Sequence, residues 1–191
     1  ETVEVADPYR GRFGYDDAAA GQSYAASVDG ALTALGDRGY QLCGFIAESY
    51  PSVGGQIEPP AGYLAAVYKK VRAAGGVCIA DEVQTGLGRL GDAYWGFATQ
   101  NAVPDMVVLG KPVGNGHPIG VVVTTAAIAN SFANGMEFFS TFGGTTLACL
   151  IGAEVLQIVD DEGLQANAAK TGAQLLAGFR TLQSRYELIG D

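Results

Sequence analysis

The stretch that decides the fold is residues 77–82, which read VCIADE: a short apolar run followed at once by two carboxylates. Continuous apolar runs of this length are typical of strands buried on both faces of a parallel sheet. Two more stretches have a similar form, residues 42–48 (LCGFIAE) and residues 106–111 (MVVLGK). Together they predict three strands of one sheet, each followed by an ionisable side chain.

Helical patterns lie between and after these strands. Apolar spacing predicts an amphipathic helix over residues 23–35 and another after Pro60. The apolar face of the second helix consists of Leu64, Val67, Tyr68 and Val71. Residues 119–123 are predicted to form a fourth strand and residues 125–132 a helix, with two long helices beyond Gly144. This order predicts an α/β fold in which a parallel-rich sheet is flanked by helices and joined by right-handed crossovers.

The composition excludes several kinds of partner. The 191 residues carry a formal charge of −9, with a pI near 4.5 and no basic stripe, so we expect no nucleic-acid partner. No apolar run approaches the roughly 20 residues of a membrane-spanning helix, and no charged-then-apolar leader opens the chain, so we expect a cytoplasmic protein without a membrane partner. Three widely spaced cysteines are expected to be buried, reduced thiols, and with a single histidine they predict no structural metal site.

Three ionisable residues follow the predicted strands: Glu48, Asp81 and Lys111. Open α/β sheets bind ligands in the crevice at the carboxyl ends of their strands, so these side chains are candidates for one site. Polar residues also emerge at strand ends simply to reach water, and most lysines between glycines are solvated. The coincidence of three such residues favours a site over chance exposure.

The chemistry open to these residues is broader than one reaction. A lysine that attacks a carbonyl must lose its proton, and Lys111 follows an apolar run and a glycine, which is consistent with the partial burial that favours this loss. The carboxylate of Asp81 can hold a protonated ring nitrogen, bind a metal, or act as an acid or base. The shortage of other ligands argues against the metal. The neighbouring Glu82 is expected to be a structural or surface residue.

Four ordered stretches carry a family resemblance: residues 79–91 (IADEVQTGLGRLG), residues 103–106 (VPDM), residues 110–111 (GK) and residues 138–144 (FFSTFGG). In this order they resemble the signature motifs of class-III aminotransferases, enzymes of fold type I that use pyridoxal 5'-phosphate. The interval between Asp81 and Lys111 also suits that family. The resemblance implies a pyridoxal-phosphate-dependent aminotransferase that acts on a small-molecule amine.

The resemblance implies a role for each residue at the matching positions of the cofactor site. Lys111 forms the Schiff base with the cofactor, and Asp81 holds the pyridine nitrogen. Val83 packs on one face of the ring, and Gln84 hydrogen-bonds near the phenolic oxygen. Thr141 reaches the phosphate of the cofactor bound in the partner subunit, which implies a homodimer. The alternative for Thr141 is a turn-capping role.

Glu48 and Ser49 are the residues that the resemblance assigns to the substrate. A proline usually follows this glutamate in the family, whereas Ser49 and residues 110–118 (GKPVGNGHP) are similar to a phospho-lyase branch related to alanine–glyoxylate aminotransferase 2. That branch eliminates phosphate from phosphoethanolamine or phosphohydroxylysine. Two alternatives to amino transfer therefore stay open: a phospho-lyase, and an inactive truncated fragment that only dimerises.

The resemblance covers nearly the whole chain but only the middle of a complete family member. It implies that residues 1–145 are part of the large cofactor-binding domain, and that residues 146–191 are a long connecting helix and the start of the small C-terminal domain. A Gly/Ser-rich segment that cradles the cofactor phosphate is expected before Glu1. An arginine motif that grips a substrate carboxylate is expected after Asp191.

Overall fold

The computed structural model describes all residues from 1 to 191. Four strands form one sheet: β1 (Gly44–Glu48), β2 (Val77–Asp81), β3 (Met106–Leu109) and β4 (Val121–Thr124). The α-helices are α1 (Ala20–Ala25), α2 (Ser27–Asp37), α3 (Tyr63–Ala73), α4 (Gly96–Thr99), α5 (Ala126–Phe132), α6 (Thr146–Asp161) and α7 (Leu164–Gln183). A short 3₁₀ turn, Lys111–Gly114, lies between β3 and β4.

The sheet has the strand order β1-β2-β3-β4. β1 pairs with β2 and β2 pairs with β3 in parallel, so the predicted parallel-rich α/β sheet is confirmed. β4 is antiparallel to β3, so the right-handed crossovers expected from the sequence do not extend to this last connection. Only the turn Lys111–Gly114 and short loops separate Leu109 from Val121, and a parallel connection needs about a dozen residues or more, usually as a helix. The chain therefore turns back beside β3.

The core lies between α1, α3 and one face of β2. The apolar face predicted for α3 is confirmed, because all four of its residues are buried: Leu64, Val67, Tyr68 and Val71. They pack with Tyr24 of α1 and Cys78 of β2 in a cluster of 12 buried residues. The single helix predicted over residues 23–35 is two helices, α1 and α2, which meet at Ala26. Ala26 keeps helical backbone angles, so the chain continues in the same sense across the interruption.

β1 is more exposed than the sequence predicts. It lies at an edge of the sheet, and the side chain of Ile46 is 62% exposed, so β1 is not buried on both faces. The prediction of buried thiols is wrong for two of the three cysteines, since Cys43 and Cys149 are exposed and only Cys78 is buried; all three are free. An apolar run does not reveal whether a strand has neighbours on both sides.

Asp105, just before β3, ties α3 to the sheet. Its Oδ2 accepts a hydrogen bond from the Cys78 N–H at 2.7 Å, and its Oδ1 accepts one from Arg72 Nη2 at 3.0 Å. Arg72 Nη2 also donates to the Val103 carbonyl at 2.6 Å. Burial alone would raise the pKa of Asp105, but the Cys78 N–H and the Arg72 guanidinium together hold this pKa below its usual range.

The first prediction concerns this carboxylate. Asp105→Asn should lower the free energy of unfolding of the chain by about 1–3 kcal/mol near pH 7, because the amide cannot accept from both donors. The lowered pKa of Asp105 means that its contribution is complete above the unfolded pKa of about 3.9 and is lost as the pH falls through the folded pKa. Urea denaturation across this range should show the difference between wild type and variant shrinking in acid.

The matched control for this prediction is Asp16→Asn, at an exposed aspartate whose side chain makes no hydrogen bond. It should leave the midpoint nearly unchanged. An Asp105→Asn variant as stable as this control, or a difference from wild type that does not shrink in acid, would contradict the role of Asp105.

Candidate active site at the carboxyl edge of the sheet

Parallel pairing brings the ends of β1, β2 and β3 to the same edge of the sheet. Glu48 and Asp81 are register partners at the ends of β1 and β2, and Asp81 is also the partner of Val108 on β3. Lys111 follows two residues after the end of β3. The structure therefore brings together the three strand-end residues singled out in the sequence.

Asp81 is held by a short turn. Its side chain is half-buried, and Oδ1 accepts a hydrogen bond from the Val83 N–H at 2.9 Å. Oδ2 accepts no hydrogen bond within the chain. The turn thus fixes the direction of the carboxylate and leaves one oxygen to accept a hydrogen bond from a ligand.

Val83 and Gln84 come next in this turn. The Val83 side chain lies over Gly110: its Cγ2 is 3.6 Å from the position that a Cβ at residue 110 would take. Val83 is therefore next to the backbone that carries Lys111. The Gln84 side chain is half-buried and makes no hydrogen bond within the chain, so its amide is also free to meet a ligand.

Lys111 has a strained backbone. Its φ of 37° lies in the left-handed region, which is unfavourable for a residue with a Cβ. Strain of this kind costs about 1–3 kcal/mol and is concentrated at functional sites. The side chain is exposed, so the partial burial expected from the sequence is not present in this chain.

Helix α6 holds the strained turn in place. Val113 and Gly114, within the turn, are buried, as are Ala148 and Gly152 on α6. A Cβ on Gly152 would be 3.2 Å from Ile119 Cδ1, closer than an ordinary packing contact. Small residues on α6 therefore allow the close approach that fixes the segment carrying Lys111.

Glu82 is neither a surface residue nor a free carboxylate. It is 2% exposed and accepts hydrogen bonds from Thr85 Oγ1 at 2.9 Å, the Gly96 N–H at 2.8 Å and the Phe97 N–H at 2.9 Å. Ser49 Oγ donates a fourth. The sequence indicated a structural partner as one possibility for Glu82, but nothing in its pattern showed that the donors come from three separate segments.

Glu48 and Ser49, the two predicted substrate residues, point to different surroundings. Oε2 of Glu48 accepts from the Ser52 N–H at 3.1 Å and from Ser52 Oγ at 2.5 Å, while its Oε1 has no partner within the chain. The Ser49 side chain is completely buried and its hydroxyl donates to Glu82. Glu48 therefore has one carboxylate oxygen free to accept a hydrogen bond from a ligand, whereas the buried Ser49 hydroxyl is already bonded to Glu82.

Thr141 lies between α5 and α6, away from these contacts. Its side chain is exposed and makes no hydrogen bond to the residues at the strand ends. The local turn is capped instead by Ser140, whose Oγ accepts from the Gly143 N–H at 2.9 Å. One chain alone therefore does not unite Thr141 with Asp81 and Lys111.

Two further kinds of feature are absent from the structure. No group of three His, Cys, Asp or Glu side chains is arranged to hold a metal ion. No helix combines the length and the apolar character needed to cross a bilayer.

Comparison with known proteins fits this arrangement of motifs. A family model described as aminotransferase class-III matches residues 8–191. The chain belongs to the class-III aminotransferase family. The family predicted from the sequence is thus confirmed.

Curated relatives of this class-III chain are longer than it is. The alanine–glyoxylate aminotransferase 2-like protein of Drosophila melanogaster is 49% identical over 189 residues, which are 97% of this chain and 38% of the relative. The human mitochondrial alanine–glyoxylate aminotransferase 2 is 46% identical over 150 residues, 78% of this chain and 29% of the relative. The chain thus spans well under half the length of these relatives.

Solved structures of related enzymes have the same fold. An Arthrobacter phospholyase in complex with phosphoethanolamine superposes with a TM-score of 0.88 at 35% identity, covering 97% of this chain and 44% of that one. An amine transaminase from an uncultivated Pseudomonas species, in its PLP-bound form, gives 0.83 at 32% identity, covering 97% and 43%. The predicted likeness to fold type I enzymes is confirmed, as is the expectation that the chain corresponds to part of such an enzyme.

The second prediction measures the strain at Lys111. Both Lys111→Gly and Lys111→Ala remove the amine, but only glycine adopts a φ of 37° without a steric penalty. Lys111→Gly should therefore be about 1 kcal/mol more stable than Lys111→Ala in urea denaturation of this chain.

Lys69 supplies the control pair, because it is exposed in the interior of α3. There the order should reverse, with Lys69→Gly about 1 kcal/mol less stable than Lys69→Ala. If Lys111→Ala is more stable than Lys111→Gly, as expected for the pair at Lys69, the backbone at Lys111 is not strained.

Proposed function

We propose that this chain supplies the lysine-bearing part of a pyridoxal-phosphate-dependent enzyme that acts on a small primary amine, with Lys111 as its catalytic residue. The observation that carries the proposal is the strained Lys111, whose amine is exposed at the edge where Asp81 leaves one carboxylate oxygen free. Membership of the class-III family supports it. Aminotransferase chemistry is the leading form of this proposal.

The residues at this edge fit pyridoxal 5'-phosphate. When bound, this cofactor supplies an electron sink for the carbon next to the substrate nitrogen. Asp81 Oδ2 is free to hold a proton on the pyridine nitrogen through a charge-assisted hydrogen bond. The apolar Val83 side chain, lying over Gly110, offers a surface for one face of a flat ring. The unpaired amide of Gln84 can donate to the phenolic oxygen.

Lys111 has two tasks in this proposal. Its amine would hold the cofactor covalently and, once freed by a substrate amine, would remove the proton from the carbon next to the substrate nitrogen. Because α6 fixes the turn Lys111–Gly114, the backbone at Lys111 stays in place while the flexible side chain moves. Glu48, with one free oxygen at the neighbouring strand end, is placed to meet the substrate.

A phospho-lyase is the second candidate. The Arthrobacter neighbour, solved with phosphoethanolamine, and the sequence around Ser49 and residues 110–118 both favour it. The two reactions share proton removal by Lys111. They would part after that step: amino transfer would need Lys111 to return the proton, whereas elimination would need phosphate to leave the substrate. The third alternative is a fragment that only dimerises.

The third prediction tests these alternatives in the complete gene product. Incubation with phosphoethanolamine and no keto-acid acceptor should release no free phosphate if the protein is an aminotransferase, whereas an amine with glyoxylate should give the amino-transfer product. Phosphate release without an acceptor would instead select the phospho-lyase.

The cofactor part of the proposal is tested with the same preparation. Borohydride reduction and peptide mass spectrometry should find the cofactor on Lys111, and Lys111→Ala should lose both this label and more than about a thousandfold of either activity, since the nucleophile and the base are one group. Lys69→Ala, exposed on α3, is the control and should behave as wild type. If wild type carries the reduced cofactor on Lys111 but catalyses neither reaction, both the aminotransferase and the phospho-lyase proposals are refuted. If wild type carries no cofactor on Lys111, the proposed cofactor site is refuted.

Self-association is part of the proposed function. Thr141 lies among exposed aromatic side chains, with Phe138 78%, Phe139 84% and Phe142 82% exposed. A cluster of exposed apolar groups marks a surface that another chain, or another part of the same chain, can cover. We infer a homodimer in which this segment reaches the partner's site and Thr141 meets the cofactor phosphate there.

The fourth prediction follows from this surface. Light scattering should give a mass of twice 19.7 kDa for the wild-type chain, and Phe139→Ser should shift the population toward the monomer because it removes apolar area from the interface. Tyr40→Ser, at another exposed aromatic residue, is the control and should not change the mass. A wild-type mass of one chain would contradict the homodimer.

The cytoplasmic location inferred from the sequence stays a prediction. The human relative is named as mitochondrial, which gives no support to a cytoplasmic location. Fractionation of cells that express the complete gene product decides between the two compartments.

A further inference from the structure

Glu82 is a buried carboxylate that the proposed chemistry does not use. Its Oε1 accepts from Ser49 Oγ and from the Phe97 N–H, and its Oε2 accepts from Thr85 Oγ1 and from the Gly96 N–H. A carboxylate has about four acceptor positions, so these four donors fill its capacity. No lysine or arginine forms an ion pair with it. Hydrogen bonds alone therefore hold this group in the interior.

The donors come from three different parts of the chain. Ser49 lies just beyond β1, Thr85 lies in the turn after β2, and the two N–H groups belong to the start of α4. The backbone of Glu82 adds two more links, since its N–H donates to the Val108 carbonyl and its carbonyl accepts from the Gly86 N–H, both at 3.0 Å. One residue thus connects β1, β3, α4 and its own turn.

The packing around this carboxylate leaves no room for change. A Cβ on Gly96 would be 2.9 Å from Ser49 Cβ, 3.0 Å from Thr85 Oγ1 and 3.1 Å from Glu82 Oε1. Residue 96 must therefore be glycine for its N–H to approach Glu82. Glu82 and its four donors, Ser49, Thr85, Gly96 and Phe97, are called the Glu82 junction below. The small residue at position 96 is what allows two of these donors to reach the carboxylate.

The residues of the proposed cofactor site stand directly beside this junction. Asp81 precedes Glu82, and Val83 and Gln84 lie inside the turn that closes with the Thr85 and Gly86 hydrogen bonds to Glu82. On the other strand, Glu48 precedes Ser49, and Glu48 is the register partner of Asp81. The bond between Ser49 and Glu82 joins the two strands one residue beyond that last register pair.

We propose that Glu82 is a positioning residue: it orders the turn that presents Val83 and Gln84 to the cofactor, and through Ser49 it fixes Glu48 relative to Asp81. This inference rests on the proposed function for its catalytic meaning, but the ordering itself is a property of the chain. If the hydrogen bonds of Glu82 served only overall stability, removing them would not disorder Val83, Gln84 and Glu48 more than other residues.

Glu82→Gln is the informative substitution, although it keeps the size and shape of the side chain. Each oxygen of Glu82 accepts from one hydroxyl and one backbone N–H. A hydroxyl can rotate and accept from the new amide NH₂, but a backbone N–H cannot. Whichever way the amide turns, one N–H of α4 faces another donor, so the junction opens.

The fifth prediction is tested by hydrogen exchange on this chain. The N–H groups of Val83 and Gly86 bond to Asp81 Oδ1 and to the Glu82 carbonyl, not to the Glu82 carboxylate, so their exchange reports the order of the turn and not the lost contact itself. In Glu82→Gln both should exchange about tenfold faster. Asp105→Asn, which destabilises a remote part of the sheet, is the control for a general loss of stability. Faster exchange only to the extent seen in this control would overturn the positioning role.

Two single substitutions separate the two arms of the junction. Thr85→Ala should speed exchange at Val83 but not at Ser52, whose N–H bonds to Glu48 Oε2 at 3.1 Å. Ser49→Ala should do the reverse, because it cuts the link to β1. Equal effects of both variants at both amides would refute two separate arms.

The catalytic meaning is then tested in the complete gene product. Glu82→Gln should weaken the binding of pyridoxal phosphate by about tenfold and change the induced circular dichroism of the bound cofactor, since both depend on the placement of the turn. Asp105→Asn should change neither, and Asp81→Asn, which removes the charge facing the ring nitrogen but should retain the cofactor, is the positive control for the spectrum. If wild type does not bind the cofactor, the proposed function fails while the exchange result still decides the ordering role. If it does bind and Glu82→Gln binds equally well with the same spectrum, the positioning role fails on its own.

Discussion

The parallel pairing of β1, β2 and β3 is the constraint on which the rest of the structure depends. Because the pairs share one direction, residues far apart in sequence end at one edge, and the register sets Glu48 opposite Asp81. The reversal into β4 follows from the short Lys111–Gly114 turn, and α6 packs on this turn. The strain at Lys111 and the buried junction at Glu82 are both consequences of the positions that the three strand ends take.

Local patterns in the sequence predicted much of this, for a physical reason. Continuous apolar runs and 3.6-residue spacing reflect burial, so the strands and the buried face of α3 could be located, and the ordered motifs identified the family. Three features depend on contacts between distant segments, and local patterns did not predict them: the antiparallel direction of β4, the exposure of Ile46 and the donors that surround Glu82. Ser49, which donates to Glu82, is 33 residues away, and no periodic pattern records such a partner. The left-handed backbone of Lys111 was not predicted for a different reason, because a lysine gives no sequence signal of positive φ.

The residues proposed for the site are only partly surrounded in this chain. Lys111 is exposed, and Thr141 has no contact with the strand ends. The chain spans 38% of the Drosophila relative, and its own residues do not shield the Lys111 amine from water. What the chain does contain is support from packing: α6 contacts the turn Lys111–Gly114, with Gly152 against Val113 and Ile119, and the hydrogen bonds of Glu82 lie next to Asp81. The contacts that fix the positions of the site residues are therefore present in this chain, although Lys111 itself stays exposed to solvent.

The left-handed Lys111 also affects how such a protein changes under selection. Selection for expression or heat resistance alone favours any residue that relaxes the backbone there, and glycine or asparagine does so at the cost of the amine. Random libraries screened only for folded protein should therefore lose this lysine early.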